Sequence, residues 1–180
     1  MLNEKVSGNM PNQNQYMHQS IAQAVSDHEI DTIFGLVGDA NLFIVNHFVS
    51  ECGGTLVPAA HEGGTVLMAQ AYTQVTKQVG VATVTQGPGL TNCVTALREG
   101  VVARRPMILL CGDTPVTASF HPQNIDQREV VKATGAGFEQ VQSPDTASRD
   151  VARAIYRARM EKRPIVVNIP SDYMLSLIHI

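Results

Sequence analysis

The chain has 180 residues, 44% of them apolar, with 13 lysines and arginines against 16 aspartates and glutamates. That length suits one domain with a sizeable core, and a formal net charge of −3 gives no basis for nucleic acid or an anionic membrane as partner. No apolar run approaches the ~20 residues of a membrane span, and the opening MLNEKVSGNMPNQNQ lacks the apolar core of a signal peptide, so a cytoplasmic protein with a disordered arm over residues 1–15 is expected.

Past the arm, helical and strand-like segments alternate. Met17, Ile21, Ala24 and Val25 share one helical face, with His28 at its edge. TIFGLVG follows as a buried strand ended by Gly38 and Asp39. Leu42, Val45, Val49 and Cys52 mark a second helix, closed by Gly53 and Gly54. TLVPAA reads as a short strand demoted by Pro58. The helix expected from about Gly63 to Thr76 is apolar nearly all round at its start (Val66, Leu67, Met68, Ala69), which predicts cover on more than one side and so a partner surface. VGVATVT is the clearest strand, and QGPGLTN leads from it into a helix carrying Leu90, Val94, Leu97 and Val101. PMILLCG is the next strand, followed by a long polar segment from Asp113 to about Gln127. GFEQVQ reads as a strand, the stretch from Asp145 to Glu161 as a helix patterned by Val151, Ala154, Ile155 and Ala158, and RPIVVNIP as the last strand. Arg149, Arg153 and Arg157 recur at i, i+4 behind Asp145, the pattern of a solvated, salt-bridged helix face. Cys52, Cys93 and Cys111 form no CxxC and each sits in an apolar segment, so buried, reduced thiols are expected.

Continuous apolar strands alternating with helices indicate a parallel sheet covered on both faces. The expected fold is an open α/β sheet of about six strands with helices on both faces, a Rossmann-like three-layer arrangement. In such sheets ligands bind outside the carboxyl ends of the strands. Those ends carry Gly38-Asp39, His61-Glu62, Gln86-Gly87-Pro88-Gly89, Gly112-Asp113 and Ser171-Asp172.

Two of these junctions carry competing readings. TQGPGLTN contains G-x-G, but Asn92 stands where the dinucleotide fingerprint has its third glycine, and no G-K-[ST] follows to make a P-loop. It is either a tight strand-to-helix turn, with Pro88 favouring the helix start, or a backbone surface that a flat ligand approaches closely. Glu62 is either a helix-start carboxylate, favoured by the dipole by about 0.3–1 kcal/mol, or a partly desolvated acid suited to giving a proton to a ring nitrogen. Gly63, Gly64 and the apolar helix behind it weigh towards the second reading.

HEGGTVLMAQAYTQVTKQVGVATVTQGPGLTNCVTAL, with FGLVGDANL upstream and RPIVVNIPSDY downstream, closely resembles one domain of a known enzyme family. The match is to the N-terminal, pyrimidine-binding domain of thiamine diphosphate-dependent enzymes of the acetolactate synthase and 2-oxoacid decarboxylase group, over about Tyr16 to Tyr173. The resemblance implies that Glu62 hydrogen-bonds N1′ of the cofactor's aminopyrimidine and favours its imino tautomer, which deprotonates thiazolium C2. The resulting ylide attacks a 2-oxoacid carbonyl. It also implies that Gly87, Pro88, Gly89 and Asn92 line the pyrimidine pocket and that Gly38 borders it. Two departures stand out. Val37-Gly38 replaces the Pro-Gly of many relatives, and Pro122-Gln123-Asn124-Ile125-Asp126 replaces Phe-Gln-Glu-x-Asp. Gln123 keeps its place there, and His121 falls near the substrate-facing histidines of some decarboxylases.

The family binds the diphosphate and its Mg²⁺ on a G-D-G…N segment of a C-terminal domain, usually of a second subunit, which this sequence does not contain. The chain is therefore expected to need a diphosphate-binding partner domain, to be inactive alone and to hold no metal itself. Residues 174–180, ending in LSLIHI, are expected to be an artificial or truncated tail. The resemblance implies at least a homodimer, or a tetramer, and leaves the substrate and a flavin (FAD) requirement open. Two alternatives stand beside it: a non-catalytic partner subunit of the same fold, and a nucleotide-binding α/β module.

Overall fold

The computed structural model describes residues 15–118 and 120–178. The expected disordered arm lies outside the described residues except for Gln15. A two-residue strand β1 (Gln15–Tyr16) leads into α1 (Met17–Asp27), followed by β2 (Thr32–Gly35), α2 (Leu42–Ser50), β3 (Thr55–Pro58), α3 (Glu62–Thr76) and β4 (Gly80–Val84). After β4 come α4 (Pro88–Thr91), α5 (Val94–Val102), β5 (Met107–Asp113), α6 (Gln127–Thr134), β6 (Gly137–Gln140), α7 (Ala147–Glu161), β7 (Pro164–Pro170) and β8 (Leu177–Ile178).

Six strands form one sheet in the order β3-β2-β4-β5-β7-β6, with every neighbouring pair parallel. Alternation along the strands divides the core between the two faces. Ile108 and Leu110 join Ile165 and Val167 under α1, α2 and α7. Leu109 and Cys111 join Ala82, Val84 and Val166 under α3, α4 and α5, with Val131 of α6. This is the three-layer α/β arrangement expected from the continuous apolar strands.

Four details differ from the sequence reading. In α2 the buried residues are Ile44, Val45 and Phe48, while Leu42 and Val49 are exposed. Most of its residues are apolar, so periodicity alone does not identify the inner face: Phe48 is buried and the equally large Phe43 is exposed. Residues 88–102 form two helices, broken at Asn92 and Cys93, where one was expected. The polar segment after Asp113 ends in a helix, α6, that the sequence reading passed over. Asp126 caps it by accepting the Glu129 N–H at 3.1 Å, and Asp126-x-x-Glu129 was the available signal. Finally, Arg153 and Arg157 of α7 pair with Asp150 and Glu161 of their own helix and with Glu139, and the Glu139 contacts fasten the helix to the edge strand β6.

The segment Met174–Ile178, expected as a tail, lies against the start of α1. Met17 N–H donates to Ser176 O at 3.0 Å, β8 pairs antiparallel with β1, and Met174 and Ile178 are buried. Among the described residues, no helix is long and apolar enough to cross a membrane.

Candidate functional site

Because all six strands are parallel, the five polar junctions do share the carboxyl edge of the sheet. The strand order also locates a crevice on that edge. From β2 the chain moves outward to β3, and from β4 it moves the opposite way to β5, so the switch in direction lies between β2 and β4. Ligands of open α/β sheets bind at such a point. Gly38 stands on one side of it and the Thr85–Gly89 turn on the other. They are in close approach, because a Cβ on Gly38 would lie 2.8 Å from Cβ of Thr85.

The Gly87 turn is built tightly. Gly87 has φ 58° and ψ −110°, and Gly89 N–H donates to Gln86 O at 3.2 Å. That is a type II′ turn, whose first central position takes glycine. Pro88 then starts α4, where its missing N–H costs nothing. The segment after β5 folds back over this turn. Gln86 Nε2 donates to Gln123 Oε1 at 2.9 Å, and the Gln123 carbonyl oxygen stands 2.2 Å from where a Gly87 Cβ would be. His121 is half-buried, and its Nδ1 accepts the Gln123 N–H at 3.2 Å. The structure therefore joins Gln123 to the glycine turn and leaves His121 shaping its own loop.

At the start of α3, His61 is the cap, its Nδ1 accepting the Gly63 N–H at 3.1 Å. This leaves Glu62, half-buried in the first turn, free to point elsewhere. It meets Asn92: Asn92 Nδ2 donates to Glu62 Oε2 at 2.9 Å, across 30 residues of sequence. The break between α4 and α5 is what brings Asn92 there. One carboxylate oxygen is thus held by a neutral donor, and among the described residues no side-chain cation is bonded to the pair. The Glu62 charge is felt behind the turn as well. Burial first, and this carboxylate second, push the Cys93 thiol up to about 12. Burial, with Cys93 and Asp113, holds the Cys111 thiol well above its ordinary range. Both are buried and reduced, whereas Cys52 is half-exposed.

A cavity of about 400 Å³ opens between α3 and α5, lined by His61, Gly63, Gly64, Leu67, Asn92 and Glu99 among others. Its walls are the immediate neighbours of Glu62. Outside its chain neighbours and its own helix backbone, Gly64 has, among the described residues, only the Ala59 Cβ within 4 Å of where its own Cβ would stand, and Leu67 is 50% exposed. The apolar start of α3 is thus unfinished on this side. A second cavity, of about 470 Å³, lies among α1, α7 and Ile178 and touches none of the candidate residues. Among the described residues, no group of three or more His, Cys, Asp and Glu is placed to hold a metal ion.

Two buried amides, which the sequence reading did not single out, hold the glycines on either side of the crevice. Asn41 Oδ1 accepts the Gly38 N–H at 2.7 Å, and its Nδ2 donates to Leu36 O and Thr83 Oγ1, both at 3.1 Å. Gln127 Oε1 accepts the Gly87 N–H at 2.9 Å. No periodic signal marks such residues, although Asn41 three places after Gly38, in the turn that follows β2, is a turn-forming pattern.

Residues 16–131 match the model of the thiamine pyrophosphate enzyme family, in its N-terminal TPP binding domain. The chain belongs to this family. It is 29% identical over 167 residues to sulfoacetaldehyde acetyltransferase of Roseovarius nubinhibens, covering 90% of this chain and 27% of that protein. It is 34% identical over 157 residues to 2-hydroxyacyl-CoA lyase 2 of Danio rerio, covering 86% of this chain and 25% of that protein. Acetolactate synthase large subunit of Corynebacterium glutamicum is 29% identical over 159 residues, again 86% of this chain and 25% of the relative. The chain spans about a quarter of the length of these curated relatives. What the family match adds is the cofactor class, thiamine diphosphate, and the part of the fold that meets it.

Proposed function

We propose that this chain supplies the aminopyrimidine-binding half of the active site of a thiamine diphosphate-dependent carboligase or decarboxylase acting on a small 2-oxoacid. The observation that carries the reading is the Glu62–Asn92 contact beside the switch crevice. The residues present fit an aminopyrimidine. Glu62 offers a carboxylate with one oxygen already held, the buried Gly87 and Gly89 keep the turn beside it compact by having no Cβ, and Gly38 lets the two sides of the crevice close together. When bound, the cofactor supplies a carbanion that adds to a 2-oxoacid carbonyl and accepts the electrons released with CO₂.

The roles of the chain's own groups follow from their placement. Asn92 Nδ2 orients the Glu62 carboxylate, leaving Oε1 for a ring nitrogen. Glu62 then stands where a carboxyl group can hold or pass a proton at that nitrogen. Gly87, Pro88, Gly89 and Asn92 form the wall against the ring, and Gly38 borders it. Gln123, bonded to Gln86, faces the substrate side, with His121 next to it. The diphosphate and its Mg²⁺ belong to a partner domain, for which the unfinished face at Leu67 and Gly64 is a docking surface. A homodimer or larger assembly of the complete protein follows from that division. Alone, the chain is expected not to turn over 2-oxoacids. Turnover of pyruvate with added thiamine diphosphate and Mg²⁺ would contradict the division of the site.

The test is a titration of the ¹⁵N-labelled chain with thiamine, followed by amide shifts. Shifts concentrated at Glu62 and Gly87 to Asn92 are expected, with affinity lowered about tenfold in Glu62→Gln through loss of a charge-assisted bond. Shifts at the glycine turn with NAD or ATP, and none with thiamine, would favour the nucleotide-binding alternative. Thiamine shifts that Glu62→Gln leaves unchanged would remove Glu62 from the site.

A further inference from the structure

We propose that Gln127 is a positioning residue for the cofactor-binding turn, the part of the molecule that holds the Gly87 peptide in the conformation the pocket requires. This rests on the aminopyrimidine reading of that turn. In a type II′ turn the internal hydrogen bond runs from the fourth residue to the first, here Gly89 N–H to Gln86 O. The Gly87 N–H therefore has no partner inside the turn, and a buried N–H requires one. Gly87 is buried. Gln127 Oε1 is its acceptor, at 2.9 Å.

The side chain that does this is 3% exposed and fully used. Gln127 Nε2 donates to Gly112 O at 2.9 Å and to Asn168 Oδ1. One carboxamide thus ties the turn after β4 to the end of β5 and the middle of β7, from the first position of α6. Asn168 continues the chain, donating from Nδ2 to Asp113 Oδ2 at 2.6 Å and to Gln140 Oε1 at 3.0 Å. Only glutamine meets these demands at this position. Asparagine is one methylene shorter, glutamate has no hydrogens to donate, and methionine or leucine fills the space but bonds nothing. The same segment, Gln123 to Gln127, also lays the Gln123 carbonyl over the open side of Gly87. The turn is therefore clasped from outside and bonded from beneath by residues 36 to 40 places later in the chain.

The experiment compares the full 180-residue chain with Gln127→Met by amide exchange and by thiamine titration. In the wild-type chain, Gly87 is expected to exchange slowly despite lying in a turn. In Gln127→Met, Gly87 should exchange roughly tenfold faster relative to Val81, whose exchange reports global opening, and thiamine affinity should fall roughly fivefold, the effect of one lost hydrogen bond. A residue that merely stabilises the fold would change Gly87 and Val81 alike and leave the affinity of the folded fraction unaltered. That result overturns the proposal. If the variant does not fold, the wild-type measurement decides: a Gly87 amide exchanging as fast as an exposed, unbonded one overturns it, and a protected one upholds it. Absence of any thiamine shift in the wild-type chain would refute the aminopyrimidine reading, while the exchange of Gly87 would still report whether Gln127 holds the turn.

Discussion

Replacing Gly87 by alanine puts a methyl group where the structure has neither backbone freedom nor space. At φ 58° and ψ −110° an L-residue carries strain of about 1–3 kcal/mol. The new Cβ would also stand 2.2 Å from the Gln123 carbonyl oxygen, a backbone atom that no rotamer change can move. The loop must shift, which breaks the bond between Gln86 Nε2 and Gln123 Oε1, at a cost of about 1 kcal/mol. Lower entropy of the unfolded chain offsets about 0.5 kcal/mol. The expected net loss is about 2–3 kcal/mol, measured as the change in unfolding free energy from urea denaturation followed by far-UV circular dichroism. Gly53→Ala is the control. Gly53 also has positive φ, 70°, but among the described residues nothing beyond its chain neighbours lies within 4 Å of its Cβ position, so strain alone applies and about 1 kcal/mol is expected. Equal losses in the two variants would refute the reasoning that the loop after β5 is packed on the Gly87 turn.

The remaining predictions concern the cap of α6 and the buried thiols. Asp126→Ala removes the side chain that accepts the Glu129 N–H, and should lower the unfolding free energy by about 1 kcal/mol in the same assay. The Cys93 thiol is raised from 9.0 to about 12 in the folded chain. A group raised on folding contributes stability that is complete below its unfolded value and is lost as pH rises towards its folded one. The unfolding free energy should therefore fall above about pH 9, more steeply than in Cys93→Ala, and urea midpoints measured on either side of that pH check it. An identical slope in the two chains would place the thiol in a less enclosed environment than the structure describes.

Much of the architecture was legible in the residues themselves. MILLCGD and PIVVNIP are apolar on both pleat faces, which only a strand covered on both sides tolerates, and that covering by helices implies parallel neighbours. Parallel strands then place Gly38, Glu62, Gly87 and Asp113 on one edge without any coordinates. The inner face of α2 was not legible, because an apolar helix has no polar stripe to orient it. Neither was α6, whose short amphipathic run follows a polar loop.

What only the tertiary structure decided is who bonds to whom across that edge. Glu62 opens α3 while Asn92 lies in the break between α4 and α5, and their contact depends on α3 crossing from β3 over to β4 and on that break. Gln127 and Asn41 reach the two glycines through side chains whose partners lie in other elements. A buried amide has no period and no preferred sequence neighbour. Its place is set by which orphan backbone group the packed chain leaves within about 3 Å of it. The sequence by itself determined the fold class and the edge where the chemistry collects. The packing of the two helical layers determined how the acid and the glycine turn are held.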